Sequence, residues 1–168
     1  FTGKSTLVHA LVRQGATYFS DEFAVLDGKG RVHPYPKPIF LRQPEAGGRE
    51  QVTAEELGGA AGKRSLPVLA VLLCKYKPGT RMRLVRSSPG QALLALLSHT
   101  VSARRKPKVV LTTLRRVVDG APVYNTFRGE AEEAATILLT SLGDSHEAPA
   151  RRGAWSVDRR TSGRGRRL

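Results

Sequence analysis

The chain has 168 residues, 40% of them hydrophobic, which suffices for one core and leaves little for a second. Its single cysteine, Cys74, excludes an internal disulfide and fits a reducing, cytoplasmic compartment; no apolar run approaches the ~20 residues that span a bilayer, so no membrane partner is expected. The net charge of +14 suits a partner that carries phosphate, but seven arginines against one acid fall in 151–168, and the first 150 residues hold 21 basic and 13 acidic groups, a net +8.

The opening run Phe1-Thr2-Gly3-Lys4-Ser5-Thr6-Leu7 matches the downstream half of G-x-x-x-x-G-K-[ST], the loop that cradles nucleotide phosphates. Glycine lets the backbone close on phosphate oxygens, lysine neutralises the β- and γ-phosphates, and the hydroxyl ligates Mg²⁺. On this reading Thr2, Gly3, Lys4, Ser5 and Thr6 bind ATP, and Ser5 also serves the metal. Helix propensity resumes over Thr6 to Gln14, with Gly15 where a helix ends, so the loop opens a helix whose N-terminus favours an anion. The motif's first glycine and the strand that feeds the loop are expected upstream of Phe1, as in a fragment of a longer chain. The same tetrapeptide is equally an ordinary helix start, with Thr2 or Ser5 as its cap.

Ala16 to Ser20 is β-branched and aromatic enough for a strand, and it delivers Asp21 and Glu22 at its end. Phe23 to Leu26 and Arg31 to His33 flank an Asp27-Gly28 turn, the arms of a hairpin. Pro34, Pro36 and Pro38 make an extended connector before Ile39 to Arg42. The polar, glycine-bearing segment from Gln43 to Ser65 reads as a long mobile excursion, either a lid or a tolerated insertion. The continuous apolar run from Pro67 to Tyr76 is the expected centre of the sheet.

Arg81 to Arg86 alternates as a half-exposed strand does. Ser87 or Ser88 then caps a helix that has Pro89 in its first turn and runs to about His99, with Leu93, Leu94, Leu96 and Leu97 at core spacing. A second amphipathic helix spans Lys106 to Val118, a final strand Pro122 to Phe127, and a last helix Glu130 to Leu142, with acids in its first turn. The expected domain is therefore 1–143. The Arg-rich tail 144–168 has few apolar groups to offset the entropy of ordering it, so it is expected to be disordered and dispensable for folding. His9, His33, His99 and His146 show no metal-ligand spacing.

A phosphate cradle becomes a catalyst when a carboxylate holds Mg²⁺ or its water and a second group orients the nucleophile. Asp21 and Glu22, about sixteen residues after Ser5, are the candidates: Asp21 for the metal, with both acids as the catalytic pair. By themselves two adjacent acids at a corner are also ordinary polar surface.

Gly3 to Leu7, the helix ending in Arg13 and Gly15, and Tyr18-Phe19-Ser20-Asp21-Glu22-Phe23-Ala24-Val25 together resemble the nucleotide-binding core of the HPr kinase/phosphorylase family, whose fold is shared with phosphoenolpyruvate carboxykinases. The resemblance covers about the first forty residues. It implies an α/β fold with a P-loop-containing mixed sheet and flanking helices, and it implies ATP and Mg²⁺ as cofactors. It also implies Lys4 at the β/γ-phosphates, Ser5 and Asp21 on the metal, and an acid of the Asp21-Glu22 pair as base toward the acceptor. The chain departs from the family at Glu22, where the family has aspartate, and at Gln91, near where the family has arginine. The loop that grips HPr has no counterpart.

The expected function is thus transfer of the γ-phosphoryl group of ATP–Mg²⁺ to a hydroxyl of a protein, peptide or metabolite. Nucleotide binding alone and carboxykinase-type chemistry are the alternatives, and a homo-oligomer is compatible with either. A basic nucleic-acid-binding module is a further reading, against which stands the lack of basic positions interleaved with exposed aromatics.

Overall fold

The computed structural model describes residues 3–42 and 49–143. Thr2 and the tail 144–168 therefore lie outside the described residues, as does Gln43 to Gly48 of the expected excursion. Helix α1 (Lys4–Arg13) sets its apolar stripe, Leu7 and Ala10, against helix α4 (Ala131–Gly143), which answers with Ala131, Ala134, Ala135 and Leu138. The alanines let the two helix backbones approach closely, and Leu7 and Leu138 close the cluster, each worth about 1.5–3 kcal/mol of burial. At the far end of α1, Gln14 donates to the Glu132 carbonyl at 3.0 Å and accepts from Thr136 Oγ1 at 3.0 Å, which fixes the rotation of one helix against the other.

Three small sheets accompany the helices among the described residues. Strands β1 (Val25–Leu26) and β2 (Arg31–His33) form the expected hairpin, and β2 also pairs antiparallel with β5 (Leu66–Pro67). Strands β3 (Ile39–Arg42) and β4 (Arg49–Val52) pair antiparallel. Strand β6 (Val71–Tyr76) runs parallel to β8 (Val123–Arg128), whose other edge takes β7 (Val85–Arg86) antiparallel. Helices α2 (Pro89–Ser98) and α3 (Pro107–Gly120) complete a mixed α/β fold with four helices among the described residues. None of these helices is long and apolar enough to cross a membrane.

The β1–β2 turn is held by one carboxylate. Asp27 accepts from the amides of Lys29 at 2.8 Å and Arg31 at 3.0 Å, and its other oxygen meets His33 Nε2 at 3.0 Å. The bond to His33, then that to the Arg31 amide, lowers its pKa from 3.8 to about 2. A carboxyl depressed in this way adds stability above its unfolded value and loses it as pH falls from 3.8 to about 2. Asp27→Asn is expected to flatten the dependence of melting temperature on pH across that window. A curve that keeps its slope would exclude Asp27 from the acid transition.

Several expectations need correction. Among the described residues the run from Pro67 to Tyr76 is not the centre of a sheet: β6 is an edge strand and β8 is central, because β8 finds partners on both sides. Ala16 to Ser20 forms no strand; Tyr18 makes one isolated bridge to Ala61, so Asp21 and Glu22 lie in a bend rather than at a strand end. The segment from Gln43 to Ser65 is not one structureless excursion, since it contains β4 and a turn in which Ala54 is buried with Val12, Tyr18 and Ile39. The leucines of α2 are not a buried stripe: Ala92 is its buried residue and Leu94 is 70% exposed.

Candidate functional site

Helix α1 begins in an unusual way. Its N-cap is Gly3, in the left-handed region at φ 65, and no side chain makes a capping hydrogen bond there. The alternative in which Ser5 caps the helix is therefore not what forms; Ser5 is already in the first turn, half-buried, with Lys4 and Thr6 exposed on either side. Non-glycine residues meet a steric penalty at that φ, and a Cβ on Gly3 would collide with the guanidinium of Arg128. Position 3 is thus restricted to glycine on two counts: its backbone turns as few residues can, and the space beside it is taken by the Arg128 guanidinium.

Two remote strand ends frame this turn. The parallel strands β6 and β8 end side by side at Tyr76 and Arg128, and Gly3 lies against both. A helix N-terminus at the carboxyl edge of parallel strands is where α/β proteins bind anionic ligands. Arg128 is 3% exposed and donates from Nη2 to the Gly3 carbonyl at 2.6 Å and from Nη1 to the Gly129 carbonyl at 2.8 Å. Its guanidinium lies 5.1 Å from the centre of the Tyr76 ring. Cys74, on the same strand as Tyr76, has its thiol pushed up by burial, with the nearby Arg128 charge acting in the opposite direction; it is a packing thiol. Arg128 did not figure among the sequence candidates. Its signal was a cation closing a strand, followed at once by Gly129 and the acid that precedes α4.

Asp21 is half-buried, and its Oδ1 is a buried oxygen with no hydrogen-bond partner among the described residues. The chain around it is pinned from the inside. Tyr18 is buried, its hydroxyl donates to the Lys37 carbonyl at 2.7 Å, and its amide and carbonyl bond the backbone of Ala60 and Gly62. Burial, then the negative charge of Asp21, raises the Tyr18 pKa. Glu22 differs from its neighbour in being exposed. It lines a cleft of about 460 Å³ between the β1 region and helices α2 and α3, with Phe23, Leu26, Leu96, Val109 and Leu114 as apolar walls. The Arg116 guanidinium donates to the Gly28 carbonyl and thereby ties α3 to the β1–β2 turn that forms one side of the cleft.

Among the described residues no three of His, Cys, Asp or Glu gather as a metal cage. A magnesium ion held mainly by phosphate oxygens needs only one or two protein ligands, and by donor chemistry the Ser5 hydroxyl and the unpartnered Asp21 Oδ1 are each suitable oxygens. Gln91 has a structural job: its side chain accepts from the Ser88 amide at 3.2 Å while Ser88 Oγ accepts from the Gln91 amide, a reciprocal cap on α2. Comparison with models of protein families, with curated proteins and with solved structures returned no match to this chain.

Proposed function

We propose that this protein binds ATP–Mg²⁺ at the start of α1 and transfers the γ-phosphoryl group to a hydroxyl acceptor, in a fold of the P-loop type. The observation that carries the reading is the glycine N-cap at φ 65, uncapped by any side chain and set at the joint carboxyl edge of β6 and β8. The N-terminal end of α1, with its backbone dipole, serves the phosphates, and Lys4 at the first helical position adds a positive charge. Ser5 and Asp21 hold the metal, which when bound neutralises phosphate charge in the transferring group. Glu22, exposed at the wall of an apolar cleft, orients or deprotonates the acceptor hydroxyl, and the cleft gives the acceptor's apolar part a place beside it.

Calorimetric titration with ATP, with Mg²⁺ and with a chelator, tests the reading directly. One equivalent of nucleotide is expected to bind, more tightly with the metal. No binding in either condition overturns it.

A further inference from the structure

We infer that Arg128 is a second fixed cation of the phosphate site, so that the polyphosphate chain is gripped between the first turn of α1 and the carboxyl end of β8. This rests on the reading of α1 as a phosphate cradle and adds a residue to it. The first ground is electrostatic. A guanidinium that is 3% exposed has lost most of its hydration, and it is ordinarily retained only with a counter-charge beside it. Here the partners of Arg128 are the carbonyls of Gly3 and Gly129 and the face of Tyr76, which are dipoles and a quadrupole. The acid beside this region, Glu130, accepts instead from the Tyr76 hydroxyl at 3.2 Å. No carboxylate among the described residues forms an ion pair with Arg128.

The second ground is the unpartnered donor. Arg128 Nε is buried without a hydrogen-bond partner among the described residues, although Nη1 and Nη2 each donate to a carbonyl. Buried donors left unmade cost stability, and such orphans concentrate where a ligand completes them. The third ground is placement. Arg128 touches the N-cap of α1, a helix whose N-terminal dipole already favours an anion. Its backbone is held rigidly there: a Cβ on Gly129 would strike the Thr80 carbonyl, and Lys77 donates its amide to the Arg128 carbonyl at 2.8 Å. Lys4, at the first position of α1, and Arg128, against its N-cap, then bring two cationic residues to one turn. The ligand class that matches is a chain of phosphoryl groups, whose oxygens take forked donors from guanidinium.

The test uses inorganic tripolyphosphate with Mg²⁺, which carries the phosphates without base or sugar. Wild-type protein, Arg128→Met and Arg128→Lys are titrated by calorimetry, with folding followed by circular dichroism and melting temperature. Arg128→Met is expected to bind at least about tenfold more weakly, and Arg128→Lys, which keeps the charge and loses the fork, to fall between it and wild type. A folded Arg128→Met that binds as tightly as wild type overturns the inference and leaves Arg128 a strut for Gly3. Should Arg128→Met fail to fold, Arg128→Lys with wild-type affinity overturns it equally. Should neither variant fold, the wild-type melting temperature decides: a rise with tripolyphosphate at matched ionic strength is expected, and no rise overturns the inference. The two readings separate, because intact ATP binding in a folded Arg128→Met removes Arg128 alone, whereas tripolyphosphate binding without any ATP binding removes the nucleotide and keeps the anion site.

Discussion

Lys4→Ala is expected to weaken ATP–Mg²⁺ binding by about ten- to a hundredfold, the worth of one charge-assisted contact to phosphate, while leaving the protein folded. The fold should tolerate it because Lys4 is exposed at the first position of α1 and alanine is the better helix former. The core contacts of that helix come from Leu7 and Ala10, which the substitution leaves alone. Calorimetry on the variant reads the affinity and a thermal melt reads the fold. Unchanged affinity in a folded Lys4→Ala would remove Lys4 from the site and with it the sequence motif on which the reading began.

The acidic pair should separate binding from chemistry. Asp21→Asn is expected to lower Mg²⁺-dependent nucleotide affinity, yet to melt no lower than wild type without ligand, because it removes the charge from a carboxylate whose buried Oδ1 has no partner. Glu22→Gln keeps the shape and the hydrogen-bonding reach of an exposed side chain, so affinity should persist while ATP turnover falls by about 10²–10⁴-fold, the usual contribution of a positioned base. The measurements are nucleotide affinity with and without Mg²⁺ and the rate of phosphate release for each variant. If both variants behave as wild type in every assay, the two acids are surface residues at a bend and the protein is a nucleotide binder at most.

Much of this architecture was legible along the chain because its causes are local. Ser88, Pro89 and Gln91 determine where α2 starts, since a cap, a pre-set φ and a reciprocal side-chain bond all act within four residues. The Asp27-Gly28 turn likewise defines the β1–β2 hairpin, and the acids at 132 and 133 mark the opening turn of α4. The candidate residues Gly3, Lys4 and Ser5 were visible for the same reason: a phosphate cradle is a short motif at a helix start.

What the tertiary structure alone decided concerns partners far apart in sequence. The apolar run in β6 was compatible with a central strand, but a strand's position in a sheet depends on which distant segments pair with it, and Val123 to Arg128 took the centre by pairing with β6 on one side and β7 on the other. Residues 49–52 looked like part of a loop, since their polar side chains carry no periodicity, and they became a strand because Ile39 to Arg42 offered a backbone edge. Arg128 shows the same cause at the site itself. Its local signal, a cation closing a strand before Gly129, does not say what it meets, and it reaches Gly3 across 125 positions only because the parallel pairing of β6 and β8 brings their ends to the first turn of α1. Local backbone and side-chain chemistry determined where the glycine turn that opens α1 lies; chain topology determined which buried charge stands beside it.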